Sequence, residues 1–151
     1  MQMIFREAQK SDLPDLIHLL ASDELGQQRE NPGLPLESSY IDAFDAIQRD
    51  KNNQLIVAAV NDQIAGMFQL TFIPYLTHRG SWRCLIEGVR VHHNLRGQGI
   101  GEQMFQYAIE LAASKECSLV QLTSDKQRPD AIRFYQKLGF IASHEGFKLK
   151  L

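Results

Sequence analysis

The spacing of hydrophobic residues along the chain predicts a mixture of strands and helices. Apolar runs rich in β-branched and aromatic side chains predict six to seven strands. These strands are Met3–Glu7, Gln54–Val60, Gln63–Ile73, Trp82–Val91, Ser118–Thr123, Phe140–Ala142 and Phe147–Leu149. Apolar residues three and four positions apart predict about four helices. These helices lie at Leu13–Leu20, at Glu37–Arg49, at Gly99–Ser114, and from Pro129 to the capping Gly139.

Turn residues indicate how these elements connect. The pair Asn61-Asp62 between two apolar runs predicts a β-hairpin, and therefore antiparallel pairing. Gly26–Pro35 contains two prolines and two glycines and predicts a loop. The strand–helix–strand segment from Trp82 to Thr123 requires a crossover between parallel strands. We therefore expect an α/β (α+β) fold with a mixed, mostly antiparallel sheet and helices on its faces.

Composition narrows the class of protein. The chain has 151 residues, 44% of them hydrophobic, and a formal charge of −2. This length predicts one domain, residues 1–151, with a full core, and the near-neutral charge argues against a dedicated nucleic-acid-binding protein. Cys84 and Cys117 are too few for a disulfide scaffold and lack zinc-ligand spacing, so we expect reduced, buried thiols and no metal site.

Membrane and export signals are not evident in the sequence. No apolar run approaches the roughly 20 residues that a membrane-spanning helix needs. The charged pair Arg6-Glu7 interrupts the first apolar residues before the core of a signal peptide can form. We therefore expect a cytoplasmic protein that does not bind membranes.

The segment from Glu87 to Glu102 carries the most specific chemical signal. A strand runs into glycines at 97, 99 and 101, and these glycines open a helix. The first N–H groups of a helix lack intrahelical acceptors, and the helix dipole adds positive charge at the same end. Phosphate oxygens suit such a site, and Arg96 adds a guanidinium at its mouth.

Two common phosphate-binding classes fit this turn poorly. A nucleoside-triphosphatase loop needs Lys followed by Ser or Thr, whereas Ile100-Gly101-Glu102 supplies neither. A dinucleotide-binding fingerprint needs a glycine at the position of Glu102. It also needs two βαβαβ halves, and only about fifty residues follow the turn. An acyl-coenzyme A remains, because its diphosphate suits a helix N-terminus and its pantetheine arm resembles a peptide.

Two motifs resemble those of the GCN5-related N-acetyltransferase (GNAT) family. Val89-Arg90-Val91 followed by Arg96-Gly97-Gln98-Gly99-Ile100-Gly101 resembles the central motif, (Arg/Gln)-x-x-Gly-x-(Gly/Ala). The segment from Ala131 to Phe140, AIRFYQKLGF, resembles the second motif. Their order and the layout of elements extend the resemblance over nearly the whole chain. A GNAT-like fold with a splayed central strand pair is therefore expected.

The resemblance implies where acetyl-CoA would bind. The main chain of Val89 and Val91 would pair with the pantetheine amides, and an N–H near Val89 or Arg90 would face the thioester carbonyl. Gly88 would ease a bulge in this strand. The diphosphate would contact main-chain N–H groups at one stretch of the turn. That stretch comprises Gly97, Gln98, Gly99, Ile100, Gly101 and Glu102, with Arg96 beside it.

Two residues are candidates for the chemistry. Tyr135 matches the tyrosine that protonates the departing thiolate in many family members, although periodicity alone would also explain it as a core residue beside Phe134. Glu87 is the candidate base, since two-residue periodicity places it with Leu85, Val89 and Val91 on one face. It could equally form a salt bridge or bind a cationic substrate, and water chains replace a dedicated base in some members.

One position departs from the family pattern. Many members carry Asn where this chain has Arg128, which would contact a cofactor phosphate, together with Tyr135 at the sulfur, or else stay solvated. The resemblance implies an N-acetyltransferase that uses acetyl-CoA and an unidentified primary amine as acceptor; a homodimer is left open. The alternative is a non-catalytic acyl-CoA sensor or interaction domain.

Overall fold

The computed structural model describes residues 2–151 in two compact units, residues 2–121 and 122–151. The first, the sheet unit, holds a sheet with strand order β1-β2-β3-β4-β5. Its strands are β1 (Met3–Glu7), β2 (Asn53–Val60), β3 (Gln63–Pro74), β4 (Trp82–Val91) and β5 (Leu119–Gln121). All neighbours pair antiparallel except β4 and β5, which pair parallel. The predicted mixed, mostly antiparallel sheet is confirmed.

Five helices belong to the sheet unit and one to the C-terminal unit, residues 122–151. They are α1 (Leu13–Leu20), α2 (Glu24–Arg29), α3 (Ser38–Arg49), α4 (Thr77–Gly80), α5 (Ile100–Ser114) and α6 (Pro129–Lys137). The helix α4 is a single turn in which His78 and Arg79 have positive φ. Within residues 2–151, no helix combines the length and the apolar composition needed to cross a membrane.

The sheet separates two layers of helices. On one face, Leu16 of α1 and Phe44 of α3 belong to a buried cluster with Met67 of β3. On the opposite face, Phe68 packs edge-on against Phe5 and Tyr107, each at 6.3 Å between ring centroids. Successive strand residues point to opposite faces, so Met67 and Phe68 anchor the two layers from adjacent positions. This sandwich holds β4 and the start of α5 in place.

The predicted loop at Gly26–Pro35 is partly wrong, because α2 occupies its first residues. Gly26 is buried inside this helix, and a Cβ there would lie 1.9 Å from the carbonyl oxygen of Leu20. The glycine therefore permits close packing of α2 against the end of α1, rather than a turn. Asp23 caps the helix, since its carboxylate accepts from the Gly26 N–H at 2.7 Å.

The predicted strands Phe140–Ala142 and Phe147–Leu149 are also wrong. Residues 140–151 adopt no regular secondary structure, and residues 141–151 are all exposed. The sheet therefore has five strands instead of the six to seven expected. Alternation of apolar residues gives a segment the side-chain pattern of a strand, but a strand forms only where another strand supplies hydrogen-bonding partners.

Candidate functional site

A bulge interrupts β4 at Gly88. Met67 of β3 pairs with Arg90 and Gln69 pairs with Glu87, so β4 has one residue more than its partner between these pairs. Gly88 has φ 63°, and no atom lies within 4 Å of a Cβ built there. The positive φ, rather than crowding, is therefore what requires glycine. The bulge expected at this glycine is present.

The bulge changes which side chains share a face. Paired residues on antiparallel strands point to the same side, so Glu87 shares a face with Gln69, and Arg90 shares that face with Met67. Val91 pairs with Gly66 and lies on the opposite face. The prediction that Glu87 and Val91 point to the same side is therefore wrong, because one extra residue reverses the alternation that follows it.

The strands β4 and β5 separate after a short stretch of pairing. The parallel pairs are Arg83 with Leu119, Cys84 with Val120, and Leu85 with Gln121. Beyond Leu85, β4 continues through the bulge to Val91, whereas β5 ends at Gln121. The main chain of residues 86–91 therefore pairs with β3 on one side only, within the described chain. A short extended molecule could add to this free edge as a strand does.

The glycine turn follows this free edge directly. Gly97 and Gly99 both have φ 79°, and Gly99 is the N-cap of α5. Within residues 2–151, the N–H groups from 97 to 102 donate to no other main-chain group. Arg96 is exposed beside them and donates from Nε to the Val91 carbonyl at 3.4 Å. The turn therefore presents unpaired donors, a helix N-terminus and a guanidinium at one place.

Arg90 ties the bulged strand to α2. Its side chain is 9% exposed and donates from Nη1 to the Val89 carbonyl at 2.8 Å. Its Nη2 lies 3.9 Å from the carboxylate of Asp23, the residue that caps α2. Sequence reasoning missed this link, because the pairing joins residues far apart in the chain. Asp23 therefore positions α2 beside β4 instead of standing free at a helix end.

Glu87 lies exposed on the polar part of its face. Its cross-strand neighbour Gln69 donates to Oδ1 of Asn53 at 3.0 Å, and Thr71 donates to the same oxygen at 2.8 Å. Asn53 thus holds the neighbouring amide in place. The carboxylate of Glu87 remains accessible on the strand that carries the bulge, one residue before Gly88.

Tyr135 and Arg128 belong to the C-terminal unit. Tyr135 is half-buried in α6, and its ring lies edge-on to Phe134 at 5.6 Å and to Phe140 at 6.1 Å between centroids. Arg128 is the N-cap residue of α6, and its main-chain N–H donates to the Asp125 carbonyl at 2.9 Å. The aromatic neighbours therefore restrict the orientation of the phenol ring.

A cavity that the sequence did not indicate lies in the sheet unit. Its volume is about 920 Å³, and it is lined by α1, α2, the β2–β3 turn and the turn that follows β4. Asp15, Glu30 and Asp62 give it negative charge, and His92 and His93 lie on its wall. Their predicted place in a turn is confirmed, since His92 caps a short 3₁₀ turn by accepting from the Asn94 N–H at 3.2 Å.

The family model of the acetyltransferase (GNAT) family matches residues 15–140. A relative, the aminoalkylphosphonate N-acetyltransferase of Salmonella typhimurium, is 32% identical over 72% of this chain and 70% of its own length. The chain belongs to the GNAT family. The glycine turn and the α6 motif both lie within the matched residues.

Solved structures of other GNAT-like chains share the fold. A crystal structure described as a transcriptional regulator from Bacillus halodurans C-125 is 55% identical. Its TM-score is 0.96, with 99% of this chain and 100% of that chain covered. A putative acetyltransferase from Agrobacterium tumefaciens is 26% identical, with a TM-score of 0.84 and coverage of 98% and 99%. The GNAT fold therefore extends over the whole described chain.

The cysteines of this GNAT chain are poorly suited to covalent chemistry. Cys84 is fully buried on the strand face opposite Glu87, and burial raises its pKa to about 12. Burial also raises the pKa of Cys117, which is partly exposed. Because the thiolate is the nucleophilic form, neither residue is activated for attack near neutral pH.

Proposed function

We propose that the protein transfers an acetyl group from acetyl-CoA to a primary amine of a small molecule or peptide by direct attack. The GNAT family, which typically uses acetyl-CoA, supplies the class of reaction. The buried thiol of Cys84 argues for direct transfer without an acyl-cysteine intermediate. We place the reaction in the cytoplasm, where reduced cysteines and acetyl-CoA occur together.

The free edge of β4 and the glycine turn together carry this proposal. The pantetheine amides would pair with main-chain groups of Val89 and Val91, and an N–H near Val89 or Arg90 would polarise the thioester carbonyl. The diphosphate would accept hydrogen bonds from the main chain between Gly97 and Glu102. The residues present fit this ligand, because the unpaired N–H groups and the exposed Arg96 supply donors and positive charge.

The transfer itself requires two proton movements. The neutral amine attacks the thioester carbon, so that a C–N bond forms as the C–S bond breaks. Glu87 would take the amine proton, directly or through water, and its exposed carboxylate supports that role. Tyr135 would give a proton to the departing thiolate, and Arg128 of the same unit would reach a cofactor phosphate.

The 32% identical relative suggests where the search for the acceptor should begin. That protein is named for aminoalkylphosphonates, which combine a primary amine with a phosphonate anion. We therefore expect an amine panel to start with aminoalkylphosphonates and to continue with polyamines, aminoglycosides, amino acids and peptide N-termini. Release of free thiol from acetyl-CoA identifies acceptors directly.

Cofactor binding is tested by thermal unfolding with acetyl-CoA. At a hundredfold excess over Kd, the melting temperature of the wild type should rise by about 5–10 °C. Gly99→Ala should weaken binding about tenfold, because φ 79° disfavours a side chain and its distortion moves the turn donors. Gly80→Ala carries a similar strain at φ 73° in α4 and should leave binding unchanged. An unshifted wild type would contradict the proposal.

The second candidate function is an acyl-CoA sensor without catalysis. It is favoured by the 55% identical structure, which is described as a transcriptional regulator. A sensor would show the thermal shift with acetyl-CoA but no thiol release with any amine. The tyrosine at position 135 favours an enzyme, since ligand binding alone does not need a proton donor at the sulfur.

A further inference from the structure

The end of the chain exposes an unusual amount of apolar surface. In the C-terminal unit, none of residues 122–151 is buried, although the unit contains a helix with aromatic residues. Four large apolar side chains near the end of the chain are more than four-fifths exposed. They are Ile141 at 83%, Phe147 at 93%, Leu149 at 87% and Leu151 at 118%. A segment of this length cannot form a core of its own.

The pattern of the last residues fits an edge strand. Phe147, Leu149 and Leu151 alternate with Lys148 and Lys150, so an extended backbone would place apolar and cationic side chains on opposite faces. Lysines on the outer face are typical of strands at the edge of a sheet. The segment therefore has the side chains of an edge strand without a sheet to join.

The sheet unit has the complementary feature. β5 is the last strand of the sheet and pairs only with β4 among the described residues. Leu119 of β5 is 39% exposed, and Ile109 of α5, a helix that packs against β5, is 41% exposed. An open strand edge flanked by apolar side chains is where a strand from another chain docks.

We propose that the segment 141–151 of one copy docks on the β5 edge of a second copy, giving a dimer with exchanged C-terminal units. Each copy carries one tail and one edge, so the contact is self-complementary and closes at two copies. Four side chains of roughly 150 Å² each offer on the order of 600 Å² per copy, close to the ~800 Å² per partner of a stable interface. That area also reaches the upper end for a patch on a monomer, about 300–600 Å².

The exchange has a consequence for catalysis that rests on the proposed function. Tyr135 lies in the exchanged unit, whereas Glu87 and the glycine turn lie in the sheet unit. Each active site of the dimer then combines the cofactor edge of one copy with Tyr135 of the other copy. The single chain holds all the required residues but completes a site only as a pair.

The solution mass tests the dimer. Light scattering should give the wild type twice its 17.2 kDa chain mass, and the double variant Phe147→Lys/Leu149→Lys should give the single mass. Leu76→Lys, at a side chain that is 97% exposed in the sheet unit, should stay a dimer. A wild type that is monomeric at about 100 μM, or a double variant that stays dimeric, overturns the proposal.

Hydrogen exchange keeps the test independent of how the variants fold. In the wild type, amides of residues 147–151 should be protected at concentrations that favour the dimer and should lose protection on dilution. Fast exchange of these amides in a dimer would exclude strand pairing and overturn the proposal, as would protection in a monomer, which would mean that the tail folds onto its own sheet.

Mixing two inactive variants tests the exchange itself. Gly99→Val lacks a working turn and Tyr135→Phe lacks the proton donor, so exchanged heterodimers regain one complete site. After joint unfolding and refolding, activity should recover to about a quarter of the wild-type value, as random pairing predicts. No recovery from two inactive variants overturns the exchange. If Tyr135→Phe alone is fully active, the tyrosine assignment fails, while mass and amide protection still decide the dimer.

Discussion

The two units of the molecule achieve their structure in different ways. In the sheet unit, Met67 and Phe68 bury opposite faces of the sheet, and the special backbone of Gly88 and Gly99 is held between packed elements. In the C-terminal unit, α6 has a clear start and end but buries none of its residues. Local sequence signals are therefore sufficient to form a helix, whereas a core needs partners that are distant in the chain.

The largest expected effect comes from opening the core of the sheet unit. Phe68 is 1% exposed, and Phe68→Ala should lower the free energy of unfolding by about 3–5 kcal/mol, because the cavity loses the contacts to Phe5 and Tyr107. Urea denaturation measures this change. As a control, Leu76→Ala at a 97% exposed side chain should change it by less than about 0.5 kcal/mol. Similar losses in both variants would contradict the assigned core.

The next effect asks whether the C-terminal unit contributes chemistry. Tyr135→Phe removes only the hydroxyl and should lower kcat about a hundredfold, since general acid catalysis typically supplies that factor or more. The Kd of acetyl-CoA should stay within about twofold. Tyr107→Phe removes a hydroxyl from a ring stacked on Phe5 at 4.4 Å and should leave kcat unchanged. Wild-type turnover in Tyr135→Phe would rule out the acid role.

This contrast also explains how much of the molecule the sequence could predict. The bounds of β1 and β4, the Asn61-Asp62 turn and the start of α6 were all predicted correctly, because local pattern and turn residues determine them. The turn at Gly97 and Gly99 and the bulge at Gly88 were also found from glycine alone.

The failures in prediction involve contacts between distant residues. Gly26 was interpreted as a loop residue, but it lies in α2 against the carbonyl of Leu20. The link from Arg90 to Asp23 depends on the pairing of helix and strand, which no local pattern encodes. The face of Val91 was wrong because the bulge adds a residue to β4. The strand-like pattern from Phe147 onward indicates a strand without specifying its partner.

Two glycines allow a direct comparison of packing in the two units. A Cβ at Gly66 would lie 2.8 Å from both the Arg90 carbonyl oxygen and Sδ of Met104, so Gly66→Ala should cost about 1–3 kcal/mol. A Cβ at Gly146, in the C-terminal unit, would meet only Cγ2 of Thr123 at 4.0 Å. Gly146→Ala should be neutral or stabilise by up to about 1 kcal/mol. Thermal unfolding of both variants measures the difference, and equal losses would mean that Gly66 is not closely packed.

The smallest effect concerns an ion pair that joins β1 to the start of α1. Arg6 donates to both carboxylate oxygens of Asp12 at 2.7 and 3.0 Å, and the Gln9 N–H donates to the same group at 2.7 Å. The Arg6 guanidinium, followed by the Gln9 N–H, holds the pKa of Asp12 below its ordinary value of 3.8 despite partial burial. A depressed pKa means that the folded state favours the ionised carboxylate.

Asp12→Asn should therefore destabilise the protein by about 1–2 kcal/mol near pH 7, a value kept low because the Arg6 side chain is 34% exposed. The stabilisation is fully present above the unfolded pKa of about 4 and is lost as the pH falls through the lower, folded value. The difference between wild type and variant should shrink below about pH 4 in urea titrations. Asp15→Asn, at an exposed position in α1, should change stability by only a few tenths of a kcal/mol at either pH. A pH-independent loss in Asp12→Asn would mean that the carboxylate acts through its shape and hydrogen bonds rather than through its charge.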